Sequence, residues 1–427
     1  MPDGHQRIDR GDAARIAAAE ASPTSPEGLR VGLEIEYFPM FVTDDGRPDG
    51  RPDLDAVLAA VEGIGPMVEV SGNPAVDLGP SGMLTFEPGA QIEHVGPPLD
   101  PARALDVASE VEAEISDRLA SAGMRAVSLG WDPWHDPEAL GQQLPGGRYR
   151  AMDRYFRSRG GLGPQMMRNT CALQINLDAT EERWRGACAI APLLTATFAS
   201  APDPHLGSRR ASIWQHLDPT RTGVPSPASD RATALCELAL AADVLVVRRG
   251  SESHPGRPGW TFGEWIDRGH PMYGPPTEGD FTYHLTTLFP EVRPRRGVLE
   301  LRGIDALPAR ERTAAVVLVT GALYDDRALR EVLELMSPHL DRLHELWRRA
   351  ARSGLDDPTL GGLADQVFTA ALRGARRLGA FDGVRLSAAA AYLEAYVAPR
   401  RAPGRRLADL PPAEIVSWAS TAVVVAT

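Results

Sequence analysis

Lysine is absent from all 427 residues, so the 45 basic side chains are without exception arginines. That excludes a phosphate-binding loop built on a lysine, and it excludes Schiff-base catalysis, which needs a titratable amine. Any phosphate chemistry must run on guanidinium forks, backbone amides and metal ions. Cysteine is nearly as scarce. Cys171, Cys188 and Cys236 form no CxxC pair and no zinc-ligand spacing, which argues against a disulfide framework and for a reducing cytoplasm. Long apolar runs are missing too. Met1 to Gly11 is polar, and the apolar stretch Ile415 to Thr427 contains Ser417 and Trp418 and falls short of a bilayer span of about 20 residues. No targeting or membrane-spanning segment is expected.

What is present points to a folded, acidic protein. Hydrophobic residues make up 43% of the chain, enough for a large core, and the net charge of -12 makes a general nucleic-acid partner unlikely on electrostatic grounds. Helical periodicity over residues 8–20, broken by the Ser-Pro-Thr-Ser-Pro run at 22–26, predicts an N-terminal helical cap over 1–27. From 28 to 306 short alternating strands mix with helices at 100–122, 183–198 and 230–247, an α+β pattern expected to form the catalytic core. From 307 to 427 the pattern is helical, near 313–325, 328–348, 362–378 and 386–397, and predicts a region packed on that core. The Gly- and Pro-containing segments 252–259 and 270–277 are expected to be surface loops or lids.

Four predicted strands each carry one apolar and one polar face. In Val31–Tyr37 the alternation sets Glu34 and Glu36 on one side, about 7 Å apart. In Met83–Glu93, Glu87 precedes a Pro-Gly turn, and Gln91 and Glu93 share a face opposite Ile92. In Thr170–Asp178, Leu173, Ile175 and Leu177 oppose Thr170, Gln174, Asn176 and Asp178, and in Val298–Arg302 the polar pair is Glu300 and Arg302. Any one of these could be a solvent-facing sheet. Together, faces rich in Glu, Gln and Asn fit better as the lining of one concave sheet. Carboxylates so gathered repel one another and raise one another's pKa unless divalent cations neutralise them, and oxygen donors without His or Cys point to Mg2+ or Mn2+. Arginines accompany the strands: Arg209 and Arg210 before Trp214, Arg221 in Asp218–Gly223, and Arg293 ahead of the last strand.

The ordered set GLEIEY (32–37), TFEPGAQIE (85–93), GLGPQMMRNTCALQINLD (161–178), SRRASIW with DPTRTG (208–223), FGEW (262–265) and YHLTTLFPEVRPRRGVLELRGID (283–305) resembles the glutamate-cysteine ligase family of the plant and proteobacterial type, and within it an actinobacterial branch serving ergothioneine synthesis. The resemblance implies a glutamine-synthetase-like α+β fold, in which an antiparallel sheet forms a funnel covered by helices. It also implies γ-glutamylcysteine formation from glutamate, cysteine and ATP through γ-glutamyl phosphate. By motif position it implies Glu34, Glu36, Glu87, Glu93, Glu300 and Gln174 as ligands of Mg2+ or Mn2+. Arg302, Arg293 and Arg210 would be the catalytic arginines, and Met167, Thr170, Asn176, Trp214 and Arg221 would bind substrates. Two departures stand out: Ala199-Ser200-Ala201-Pro202 where relatives often have Asn-Ser-Pro, and Arg209 where they often have an aromatic residue. A ligase with another amine acceptor, or a metal-binding scaffold without activity, are the competing expectations. Oligomeric state is not legible.

Overall fold

The computed structural model describes residues 7–22 and 28–420. Most of the 22–26 run, the start of the polar N-terminus and the end of the apolar C-terminal stretch lie outside the described residues. Within them, no helix is long and apolar enough to cross a membrane.

Thirteen strands are described: β1 (Val31–Phe41), β2 (Met67–Val70), β3 (Asn73–Asp77), β4 (Met83–Phe86), β5 (Ile92–Val95), β6 (Met124–Val127), β7 (Ala172–Asp178), β8 (Thr222–Gly223), β9 (Val246–Arg249), β10 (Glu252–Pro255), β11 (Phe289–Pro290), β12 (Val292–Arg295) and β13 (Val298–Asp305). Nine of them make one sheet in the order β12-β13-β7-β1-β5-β4-β3-β2, with β6 pairing the outer half of β1. Every pairing in it is antiparallel. The remaining strands form two two-stranded pairs.

Period-two alternation decides which face is dry. Val31, Leu33, Ile35 and Tyr37 of β1 enter the main core with Leu173, Ile175 and Leu177 of β7 and Leu299 and Leu301 of β13, all buried. The helices Pro101–Ser121 and Glu181–Thr197 pack against this face. Outside them lies Ala309–Tyr324, which is apolar almost all round, as a helix must be when neighbours surround it. It meets Pro358–Leu378 backbone to backbone, because a Cβ on Gly321 would stand 2.1 Å from the Ala371 carbonyl oxygen. The apolar sheet face is thus sealed by two layers of helix, leaving the Glu-rich face to a cavity.

A second, smaller core joins the N-terminal helix Arg10–Ala21 to Arg231–Ala241 and Phe262–Arg268 through Ile16, Leu235, Trp265 and Phe281. Asp9 caps the first helix in a reciprocal box with Asp12.

Three sequence expectations are corrected. The 230–247 helix stops at Ala241, where Asp243 pairs with Thr261 and Val246–Arg249 turns into strand. The 328–348 helix is interrupted by a 3-10 segment at Ser337–Arg342, because Pro338 removes a backbone donor. Glu252–Pro255 is no loop but pairs with Val246–Arg249 across a two-residue Gly250–Ser251 turn. In this structure no residue of 252–277 lines the cavity, and Trp260, His270 and Tyr273 pack on one another.

Candidate active site

The polar faces of β1, β4–β5, β7 and β13 do converge. They line one cavity of about 280 Å³ together with the helices Gly147–Ser158, Gly163–Asn169 and Arg209–Leu217. Register explains the convergence. Glu36 stands opposite Glu93, and Glu34 opposite Gln174, across adjacent strands. Glu87 closes the β4–β5 hairpin, its N–H donating to the Gln91 carbonyl, with Ala90 held at a φ of 61°. On β13 the register slips between Leu301 and Ile304, so Arg302 and Gly303 share one position of the ladder. This bulge has a steric basis, since a Cβ at Gly303 would meet Glu291 Oε2 at 2.3 Å.

Among the described residues, four carboxyl groups on the wall, those of Glu34, Glu36, Glu87 and Glu93, have no ion-pair partner of their own. Burial first, and then repulsion from Glu36, raise Glu87 to about 8. Burial raises Glu36 to about 7, although Arg210 and a 2.8 Å hydrogen bond from the Ala172 N–H oppose it. Burial and Glu300 raise Glu34, and burial and Glu34 hold Glu93 well above the usual range. Asn176 Nδ2 donates to Glu34 at 3.0 Å and Thr85 Oγ1 to Glu93 at 2.6 Å, fixing two of the carboxylates in place.

Glu300 is the exception. Although buried, it is held down at about 2 by Arg293 and Arg302. Arg293 grips both its oxygens, at 2.8 and 2.9 Å, and donates its third nitrogen to the Leu288 carbonyl. Arg302 bridges Glu300 and Gln174, and Arg210 donates to the Arg302 carbonyl at 2.9 Å. Glu300, expected as a metal ligand, lines the cavity and is occupied here by two guanidinium groups, so that it holds Arg302 in place. Arg293 also lines the cavity while engaged with Glu300.

Among the described residues, no preassembled set of three or more His, Cys, Asp or Glu ligands is present. The donor chemistry nevertheless fits a hard divalent cation. Glu34, Glu36, Glu87 and Glu93 offer oxygen alone, Gln174 adds an amide oxygen, and four half-buried carboxyl groups that repel one another lack the positive charge such an ion brings.

Met167, Thr170 and Trp214 line the cavity as expected of substrate-binding residues. Trp214 Nε1 is buried without a hydrogen-bond partner, leaving a donor on the wall. Asn176 does not line it; its amide serves Glu34. Arg221 is the larger correction. Wholly buried outside the cavity, it pairs with Asp218 at 2.6 Å and donates to the carbonyls of Thr287 and Asp243. Arg221→Met is expected to lower the unfolding free energy in urea by about 3–5 kcal/mol, the usual consequence of stripping one partner from a buried pair, with substrate KM values unchanged.

Sequence reasoning missed Arg148, Tyr149 and Phe289 on the wall. Arg148 donates to both oxygens of Thr286 and lies over the Tyr283 ring, clasping two segments at the mouth. Its only signal was the cluster of Arg and aromatic residues in 148–157.

Compared with known proteins, residues 30–409 match the model of glutamate-cysteine ligase family 2. The chain belongs to the glutamate-cysteine ligase family. Within it, the glutamate-cysteine ligase EgtA of Mycolicibacterium smegmatis is 33% identical over 417 residues, 93% of this chain and 90% of that protein. The chloroplastic glutamate-cysteine ligase of Medicago truncatula is 31% identical over 74% of this chain and 66% of its own. A solved glutamate-cysteine ligase from Francisella tularensis, in complex with AMP, shares the fold with a TM-score of 0.53 at 13% identity, over 92% of this chain and 88% of that one. The expected α+β architecture, an antiparallel sheet covered by helices, is the one observed.

Proposed function

We propose that this chain joins the γ-carboxyl of glutamate to the amine of cysteine with hydrolysis of ATP to ADP. The observation that carries the reading is the convergence of four polar strand faces, with Glu34, Glu36, Glu87, Glu93, Glu300 and Arg302, on one cavity of a glutamate-cysteine ligase family member. A carboxylate must meet a triphosphate there, and neither approaches the other unless positive charge offsets theirs.

Glu34, Glu36, Glu87 and Glu93, with Gln174, would hold Mg2+ or Mn2+, which supplies charge neutralisation of the phosphates. Arg302, kept in place by Glu300, Gln174 and a backbone fixed by the Glu291 carbonyl, stabilises charge on the transferring phosphoryl group. A γ-carboxylate oxygen of glutamate bonds to the γ-phosphorus as the bond to the ADP oxygen breaks. The cysteine nitrogen then bonds to the acyl carbon as phosphate departs, carrying the amine proton with it. Met167, Thr170 and Trp214 shape the amino-acid pockets, and no protein nucleophile takes part. Likeness to the ergothioneine branch supports a place at the first step of that pathway, and the three unpaired cysteines support a cytoplasmic home.

The test is ADP release with Mg2+, ATP and glutamate, with and without cysteine, and mass identification of the product. Cysteine-dependent release and γ-glutamylcysteine are expected. Turnover only with another amine overturns the acceptor, and none with any amine overturns the ligase reading.

A further inference from the structure

Outside the cavity wall, one buried charge is tied to the site by more contacts than packing requires. The Arg51 side chain is fully buried, as is that of its partner Asp132, 3.2 Å away. Its second terminal nitrogen reaches the Gly89 carbonyl at 2.6 Å, and its plane lies 4.7 Å over the Phe38 ring. Asp132 also accepts from the Trp134 N–H and faces His135 Nδ1 at 2.8 Å.

Each end of this network leads to the cavity. Gly89 is the middle of the turn from Glu87 to Gln91; its N–H donates to Gln91 Oε1, and Gln91 Nε2 donates to the carbonyls of Met167 and Thr170. A Cβ on Gly89 would stand 2.5 Å from the Arg168 carbonyl oxygen, so the turn is already pressed against the 163–169 helix. Asp132 grips the same helix through its backbone, exchanging bonds with Asn169. On the other side, Asp49 and Gly50 bond to Phe41 at the end of β1, the strand that carries Glu34 and Glu36.

We propose that Arg51 is a positioning residue, whose fork fixes the Glu87 turn relative to β1 and to the Met167–Thr170 segment so that the cavity carboxylates close on one cation. The role depends on shape as well as charge. Two nitrogens in one plane reach Asp132 and the Gly89 carbonyl together, whereas the single ammonium of a lysine reaches one. The inference rests on the proposed metal role of Glu87.

The test is Mn2+ binding to the full-length protein, read from the electron paramagnetic resonance of free Mn2+, in Arg51→Lys and Asp132→Asn. Both are expected to raise the Mn2+ Kd about 10- to 100-fold, with kcat falling in step, as when groups that orient metal ligands are lost. Arg349→Lys, which disturbs the Arg349–Asp357 pair away from the cavity, is expected to lower thermal stability and leave the Mn2+ Kd as in the wild type. Asp132→Asn decides the matter if Arg51→Lys fails to fold. Wild-type Mn2+ affinity in a folded variant at either position overturns the proposal, as does an equal loss in Arg349→Lys. A wild-type protein that binds Mn2+ yet makes no γ-glutamylcysteine sinks the ligase reading alone, since the Kd comparison still decides the role of Arg51.

Discussion

Replacing Arg302 by alanine is expected to lower kcat about 10³-fold while the protein remains folded, the scale on which loss of an arginine at a transferring phosphoryl group is felt. The side chain makes hydrogen bonds to Glu300 and Gln174, so its head is placed before substrate arrives. Its removal leaves Glu300 with the two-point grip of Arg293, which preserves the strand pair. The loss should therefore fall on chemistry rather than folding. Rapid-quench measurement of the first turnover separates the two, because a slowed burst of ADP locates the defect in phosphoryl transfer. An Arg302→Ala protein within tenfold of wild-type kcat would remove the phosphate-clamp role.

The second large effect concerns stability and pH. Glu36 and Glu87 hold their protons in the folded state up to about 7 and about 8, against an ordinary value near 4.5 in the unfolded chain. Between those limits the folded state binds more protons than the unfolded one, so stability falls as pH rises. This contribution is whole below pH 4.5 and is lost as the pH climbs through 8. Glu300 works oppositely: its value of about 2 stabilises the fold above 4.5 and fails only as pH drops toward 2, outside the window. Metal-free protein is expected to lose a few kcal/mol, and about 3–5 °C in Tm, between pH 5 and 8.5. Added Mg2+ should return most of it, since it favours the ionised carboxylates. A flat Tm between pH 5 and 8.5, measured by scanning calorimetry without metal, would contradict the charge crowding described for the cavity.

Much of this site was legible because strands advertise their faces. Glu34 and Glu36, Gln91 and Glu93, Gln174 and Asn176, and Glu300 and Arg302 are each two residues apart, and a spacing of two on a strand means a shared side whatever the fold. What spacing could not reveal was the partner. Asn176 shares a face with Gln174, yet one extends the wall and the other braces Glu34. Arg221 looked like a substrate anchor by its motif, but Asp218, three residues before it, had already claimed the guanidinium. Helices gave less away, since Arg148 reaches the cavity from a face set by tertiary packing alone. The errors in 230–247, 328–348 and 252–259 have local causes: a backbone bridge at Asp243, Pro338, and a hairpin too short to show periodicity. Arg51 carried no sequence signal, because its importance lies in two acceptors far along the chain.

The placement of the cysteines has a further meaning for a protein proposed to handle a thiol. Cys171 sits between Thr170 and Ala172, at the edge of the cavity, and is wholly buried; Cys188 is buried in the helix behind the sheet. Burial pushes both thiols well above their ordinary value, and Glu36 adds to the effect at Cys171. Thiolate is the species that attacks a disulfide, so these two sulfurs are silent toward cystine and other oxidised thiols. Neither of these two buried sulfurs is thus placed to exchange with a thiol substrate, even though Cys171 sits beside the cavity.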